Sequence, residues 1–76
     1  MAITNRIEIN PNIMMGKPVI RGTRIPVELI LRKLGEGAKE EDLLDGYPNL
    51  TPEDIQAAIG YAAETLAHEE TFFVGR

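Results

Sequence analysis

The sequence has no cysteine, no serine and no tryptophan, and it has only one histidine. The absence of cysteine excludes disulfides and thiolate metal sites, so a metal site built with His68 would otherwise rest on carboxylates alone. At 76 residues, the chain is expected to form one domain. A single core of this size rarely contributes more than about 3–5 kcal/mol of folding free energy. Because no disulfide adds to that core, we expect a homo-oligomer, either a dimer or a larger assembly.

Groups that would carry catalysis are also missing. The sequence has neither the glycine-rich loop that holds phosphates nor the glycine fingerprint that binds dinucleotides. Threonine without a neighbouring base is a poor nucleophile. His68 precedes Glu69 and Glu70 but lacks the second histidine of a zinc-binding helix, and we interpret it as a solvated residue near a helix end. We therefore expect no enzymatic activity, no cofactor, no metal and no small-molecule substrate.

Long apolar runs are absent as well. Residues 1–12 place polar residues between single isoleucines and so lack the apolar core of an export signal. The longest run of small and apolar residues, Ala57–Ala63, is far shorter than a bilayer span. We expect a cytoplasmic protein without membrane contact.

The net charge of −4 conceals an uneven distribution along the chain. Residues 1–39 carry seven basic and three acidic side chains, whereas residues 40–76 carry nine acidic side chains and a single basic one, Arg76. Such an asymmetry suggests two surfaces with different partners. The alternative is that charges cluster by chance in a short chain.

The first 25 residues are predicted to form an extended arm and a basic loop. Arg6–Ile9 alternates polar and apolar residues with the period of a half-buried strand. Val19–Arg21 is a second short extended segment, and proline, asparagine and glycine between the two predict turns. Because two isolated strands are marginally stable in water, this β-hairpin-like arm is expected to pack on helices or to pair across a dimer.

Residues 26–70 are predicted to form three helices. The first begins with Pro26 at its first helical position and ends at Gly35 and Gly37. Its apolar face is formed by Val27, Ile30, Leu31 and Leu34. The second helix, Lys39–Asp45, carries acidic residues in its first turn, where they suit the helix dipole.

The third helix has the strongest start signal in the sequence. Thr51 is a cap residue, Pro52 takes the first helical position, and Asp54 completes a shortened capping box. The helix is predicted to extend to Glu70, and its small residues, including Gly60, would let another helix approach closely. Its buried stripe is predicted to consist of Ile55, Ala58, Ile59, Ala62 and Leu66.

The expected fold is mostly α, in a single domain over residues 1–76. A hairpin-like arm at 1–25 is followed by a three-helix bundle at 26–70, in which a short helix, a turn and a longer helix follow one another in a helix-turn-helix-type order. The tail at 71–76 contains Phe72 and Phe73. It is predicted to be either a short strand packed on the fold or an exposed docking segment.

Lys17, Arg21 and Arg24 lie within eight residues, in a loop directly before a helix. Basic side chains on such a loop can clamp phosphates and read guanine, so they are candidate nucleic-acid contacts. Ion pairing of the arginines with the acidic second half is an equally compatible alternative. The third helix is a poor DNA reader, because residues 52–70 contain no Lys or Arg and only Gln56 could read adenine.

Four segments of the sequence together carry a family resemblance. The most specific is Gly16–Val27, which reads Gly-Lys-Pro-Val-Ile-Arg-Gly-Thr-Arg-Ile-Pro-Val. The others are Gly37–Leu44, Tyr47–Ile55 and Ala57–Ala62. These segments resemble the domain-of-unknown-function 433 family of small bacterial and archaeal proteins, and the resemblance covers residues 7–63.

The resemblance implies a homeodomain-like fold and the role of an antitoxin, since members of that family are predicted antitoxins. Such a protein would bind a PIN-like ribonuclease toxin and repress its own promoter DNA. By analogy, Lys17, Arg21 and Arg24 are candidate DNA contacts, whereas the acidic half and the Phe72-Phe73 pair are candidate toxin contacts. The alternative function is a protein-interaction or oligomerisation module that does not bind DNA.

Overall fold

The computed structural model describes residues 5–69. A two-stranded antiparallel sheet comes first, with β1 at Ile7–Glu8 and β2 at Val19–Ile20. Ile7 lies opposite Ile20, and Glu8 lies opposite Val19. The hairpin-like arm predicted from the sequence is confirmed, although each strand is only two residues long.

The connection between the strands reverses direction in a 3₁₀ turn at Met14–Gly16. Its backbone is left-handed, with φ values of 50° at Met14, 56° at Met15 and 85° at Gly16. Residues with a Cβ rarely adopt this conformation. Backbone hydrogen bonds hold the turn closed, including one of 3.1 Å from the Lys17 amide to the Met14 carbonyl. Lys17 follows this turn directly and lies two residues before β2.

The first helix, α1, spans Val27–Gly35. The prediction that Pro26 takes the first helical position was wrong, because Pro26 has an extended backbone with a ψ of 144° and lies one residue before the helix. Pro26 is held there by an antiparallel bridge to Val19. The Val27 amide also donates to the Pro18 carbonyl at 2.9 Å. Contacts with β2 therefore decide where α1 begins.

The second helix, α2, spans Glu40–Gly46 and lies one residue later at each end than predicted. It follows Gly37, whose φ of 103° provides the left-handed stop predicted after α1. The same prediction for Gly35 was wrong, because Gly35 is the last residue of α1 and has no left-handed φ. The backbone amide of Lys39, the residue before α2, donates to the Asp42 carboxylate at 2.8 Å. This bond satisfies one of the amides that a helix start leaves without a partner.

The third helix, α3, spans Pro52–Ala67 and ends three residues before the predicted Glu70. The predicted capping box is confirmed in both directions. The Asp54 amide donates to the Thr51 hydroxyl at 3.1 Å, and the Thr51 amide donates to the Asp54 carboxylate at 3.0 Å. Two side chains separated by three positions thus fix the start of the longest helix.

The core lies where the sheet and the three helices meet, and α3 packs on α1, α2 and β1. Its buried members are Ile7, Val19, Ile20, Val27, Ile30, Leu43, Leu50, Ile55, Ala57 and Ala58. The predicted stripe on α3 was wrong at Ile59 and Leu66, which are 48% and 64% exposed. The face that packs on the core includes Ala57 and Tyr61 instead, because α1 and β1 cover a side of α3 that periodicity alone does not select.

The tail at 71–76, with Phe72 and Phe73, and the predicted helix end at Glu70 lie outside the described residues. Within residues 5–69, no helix is long and apolar enough to cross a membrane.

Candidate functional site

The structure gives Lys17 a different partner from those of Arg21 in the basic loop. The Lys17 ammonium lies 2.9 Å from the Glu28 carboxylate on α1, and Arg32 approaches the same carboxylate at 4.0 Å. The hydrogen bond from Lys17, together with its positive charge, lowers the pKa of Glu28 below its ordinary value. Much of the positive charge of Lys17 is therefore compensated by a neighbouring carboxylate.

Arg21 stabilises the arm through hydrogen bonds to its backbone. Its Nε donates to the Asn5 carbonyl at 2.8 Å, and a terminal guanidinium nitrogen donates to the Ile7 carbonyl at 3.3 Å. Its backbone amide also donates to the Arg6 carbonyl at 2.8 Å, which continues the hydrogen bonding of the two strands. The side chain is nevertheless exposed, so it combines a structural role with a positive surface.

Arg24 is exposed on the turn between β2 and α1. Within residues 5–69, no hydrogen bond or ion pair of its guanidinium is found. The turn is held by Thr23, whose hydroxyl donates to the Ile20 carbonyl at 2.7 Å and accepts from the Ile25 amide at 2.9 Å. Arg24 is thus presented to solvent from a well-defined backbone.

The ion pair with the acidic half is made by Arg6, for which the sequence predicts only a place in a strand. The Arg6 guanidinium lies 3.0 Å from the carboxylate of Asp54, which is 7% exposed. Arg6, Arg21, Asn5 and Asp54 line one shallow depression. The alternating pattern of β1 puts Arg6 and Ile7 on opposite faces, but no signal in the sequence selects Asp54 as its partner.

A second feature, which sequence reasoning missed, is an open groove of about 310 Å³ between α1 and α3. Its walls and floor are formed by Pro18, Val27, Leu31, Tyr61, Ala62, Thr65 and Leu66, with Lys17 and Glu28 at its edge. We call this feature the α1–α3 groove. Lys17 and Glu28 pair with each other at its edge. The rest of the lining is almost entirely apolar.

The groove has the shape and composition of a docking site for apolar side chains. Apolar grooves between helices can receive the apolar side chains of a partner segment. In the part of the chain that the structure describes, no group of three or more histidine, aspartate or glutamate residues is arranged to hold a metal. The apolar lining of the groove favours binding through apolar contact.

Comparisons with known proteins place the chain among uncharacterised relatives. The family model described as "Protein of unknown function (DUF433)" matches residues 7–62. The uncharacterised protein y4eO of Sinorhizobium fredii (strain NBRC 101917 / NGR234) is 40% identical over 53 residues, which is 70% of this chain and 24% of that protein. The crystal structure of a DUF433 member protein from Anabaena variabilis ATCC 29413 is 38% identical and superposes with a TM-score of 0.79. That match covers 87% of this chain and 65% of the other. The chain thus spans about a quarter of the first relative and slightly less than two thirds of the second.

Proposed function

The chain belongs to the DUF433 family, and on that premise we propose that it is the antitoxin of a type II toxin–antitoxin pair that binds a PIN-like ribonuclease. A shared fold does not by itself assign a function, so support has to come from a particular site. The observation that carries the proposal is the α1–α3 groove. It gives this small chain a surface on which a partner protein can bury apolar side chains.

The lining of the groove favours a protein over a small ligand. Small-molecule sites combine an apolar wall with several convergent polar groups that orient the ligand. Here Lys17 and Glu28 satisfy each other at 2.9 Å, which leaves few groups to orient a polar molecule. Apolar grooves commonly receive an amphipathic segment of another protein. Here α1 and α3 flank such a groove.

The Phe72-Phe73 pair remains a predicted second contact with the toxin, and it lies outside the described residues. An antitoxin of this kind would act by covering the toxin surface and would need no chemistry of its own. The alternative is a protein-interaction module whose partner is unrelated to any toxin.

A carboxylate placed in the groove is expected to weaken toxin binding. Thr65 is exposed on α3 and lines the groove, so Thr65→Glu puts a charge against apolar walls without disturbing the core. Burying that charge is costly, and we expect at least a tenfold loss of affinity for the ribonuclease encoded beside this chain. The measurement is calorimetric titration with that ribonuclease, together with rescue of cell growth when both proteins are expressed.

His68→Glu is the matched control, because it introduces the same side chain at an exposed position directly after α3 and outside the groove. This variant should bind and rescue like the unmodified chain. Failure of the unmodified chain to bind the ribonuclease contradicts the antitoxin assignment. Equal binding by the Thr65 and His68 variants excludes the groove as the contact.

As a second candidate function, we propose weak promoter binding through Arg21 and Arg24. Support comes from Arg24, which is exposed and without an ion pair among residues 5–69. Arg21 lies three positions earlier and is also exposed. The composition of α3 argues against its binding in a groove of DNA, since residues 52–69 contain no Lys or Arg.

Arg24→Ala is expected to weaken binding to the chain's own promoter fragment and to unrelated DNA by about the same factor. Loss of a phosphate contact has this effect, because the phosphate backbone is the same in every sequence. Lys17→Ala should have a smaller effect, because Glu28 already compensates the charge of that ammonium. Both are measured by mobility shift over a range of salt concentrations. Absence of any shift at low salt removes the DNA proposal and leaves the toxin proposal untouched.

A further inference from the structure

The register of the two strands places two arginines directly opposite each other. Ile7 lies opposite Ile20, so the next pair outward is Arg6 and Arg21, and the Arg21 amide donates to the Arg6 carbonyl at 2.8 Å. Residues opposite each other in an antiparallel pair share a face, with Cβ atoms about 4.5–5.5 Å apart. Because Ile7 and Ile20 are buried, the alternation of the strands turns both arginines outward, and both are exposed.

The positive charge of this pair is only partly compensated. Like charges directly opposite each other destabilise a sheet. Of the residues that line the depression beside the two arginines, Asp54 alone is acidic. The carbonyls of Asn5 and Ile7, to which the Arg21 guanidinium donates, carry no net charge. Two guanidinium groups against one carboxylate leave the depression with an excess of one positive charge.

Asp54 compensates Arg6 from the inner side of the depression. The Asp54 side chain is 9% exposed, whereas that of Arg6 is 46% exposed. One carboxylate oxygen contacts a single terminal nitrogen of Arg6, and the other accepts the Thr51 amide. A guanidinium has five N–H donors in a planar fork, so this one-nitrogen contact engages only part of it. The outer side of Arg6 borders the open depression.

We propose that Arg6 and Arg21 together bind a phosphate group in this depression, which is lined by Asn5, Arg6, Arg21 and Asp54 and which we call the arginine depression. The planar fork of arginine matches the oxygens of phosphate. A phosphate group between the two strands can offer a different oxygen to each guanidinium, and its negative charge offsets their repulsion. A carboxylate ligand would only repeat the contact that Asp54 already makes with Arg6.

The size of the arginine depression admits a phosphate group from either of two sources. Its volume is about 500 Å³, within the range of about 300–1,000 Å³ that is typical of small-molecule sites. Because the depression is open, the phosphate of a free nucleotide and the backbone phosphate of a nucleic acid can both reach it. Arg24 does not line it, so the proposal does not depend on promoter binding, although Arg21 belongs to both surfaces.

The first test is a titration of the full chain with inorganic phosphate, followed by NMR, with chloride keeping the ionic strength constant. The amide and Nε resonances of Arg6 and Arg21 are expected to shift and to saturate together. We expect a dissociation constant on the order of 1 mM, because the ligand is small and the site is open to water. Absence of a saturating shift at these two arginines overturns the proposal.

Arg6→Gln and Arg21→Gln are each expected to weaken phosphate binding by at least about fivefold, because each removes a charged hydrogen-bond donor. Arg24→Gln is the matched control: it makes the same change at an exposed position outside the depression, and its affinity should stay within about twofold of the unmodified chain. Equal weakening by all three variants overturns the proposal, because it would show that net charge alone attracts the phosphate.

Circular dichroism checks that the variants fold. Arg6→Lys is included because Arg6→Gln removes the ion pair with Asp54. A lysine keeps a positive charge beside that carboxylate but lacks the planar fork. Arg6→Lys is therefore expected to stay folded and still to bind phosphate more weakly than the unmodified chain. Unchanged phosphate binding by Arg6→Lys and by Arg21→Gln overturns the proposal.

A second titration, with a short DNA duplex, distinguishes the two sources. Weaker binding of both the duplex and inorganic phosphate to Arg6→Gln supports the site with a backbone phosphate as its ligand. Weaker binding of inorganic phosphate alone supports the site with a small phosphorylated molecule as its ligand. An unmodified chain that binds phosphate but not its promoter removes the promoter proposal and keeps this site. Duplex binding without any saturable phosphate binding, unchanged in Arg6→Gln and Arg21→Gln, overturns the site and leaves promoter binding to Arg24.

Discussion

Replacing Ile30 with alanine is expected to lower the free energy of unfolding by about 2–5 kcal/mol. Ile30 is 0% exposed and lies on the face of α1 that packs into the core. The lost transfer free energy of the side chain adds to the cost of the cavity that it leaves. Because a single core of this size contributes about 3–5 kcal/mol, the variant should lose a large part of its stability. Urea unfolding followed by circular dichroism measures the difference.

Ile9→Ala is the matched control for this substitution. Ile9 is 58% exposed, so removing the same atoms should change the free energy of unfolding by less than about 0.5 kcal/mol. Both proteins are compared at one protein concentration, since dimerisation shifts apparent stability by mass action. Equal losses for the two variants contradict the assignment of Ile30 to the core.

Replacing Asp54 with alanine is expected to cost about 2 kcal/mol or more of folding free energy. One carboxylate oxygen accepts the Thr51 amide at 3.0 Å, and the other lies 3.0 Å from the Arg6 guanidinium. Hydrogen bonds to charged groups contribute about 1.5–3 kcal/mol when partly buried, and loss of a cap costs about 1 kcal/mol. The melting temperature of a domain this size should fall by roughly 10 °C, as differential scanning calorimetry would measure.

Asp42→Ala separates the capping contribution from the ion pair. Asp42 accepts the Lys39 amide at 2.8 Å at the start of α2, but this bond is exposed and its carboxylate has no ion pair within residues 5–69. We expect it to cost about 1 kcal/mol or less. A loss for Asp54→Ala no larger than for Asp42→Ala would show that the Arg6 pair contributes nothing measurable.

Features set by neighbouring residues were predicted well from the sequence. The start of α3 depends on Thr51 and Asp54, three positions apart, and the structure shows both hydrogen bonds of the capping box. The stop after α1 depends on Gly37, which has the left-handed φ that was expected there. The two strands were also placed correctly, because their alternation and turn residues are local signals.

The candidate site could be predicted only in part. The sequence grouped Lys17, Arg21 and Arg24 because they are close along the chain, but Glu28 pairs with Lys17 while Arg21 binds carbonyl oxygens of the arm. Periodicity likewise placed Ile59 and Leu66 in the core, since an apolar stripe does not indicate which of its edges will be covered. The α1–α3 groove is a consequence of that difference.

The sequence by itself determined the family, the order of elements and the start of α3, because those depend on residues within one or two turns of each other. Tertiary structure alone decided which charges meet and which apolar residues stay exposed. Arg6 and Asp54 are 48 positions apart, and only the packing of β1 on α3 brings them to 3.0 Å. Burial depends on the neighbours that the fold supplies, so the open groove and the exposure of Ile59 and Leu66 become visible only once the elements are assembled.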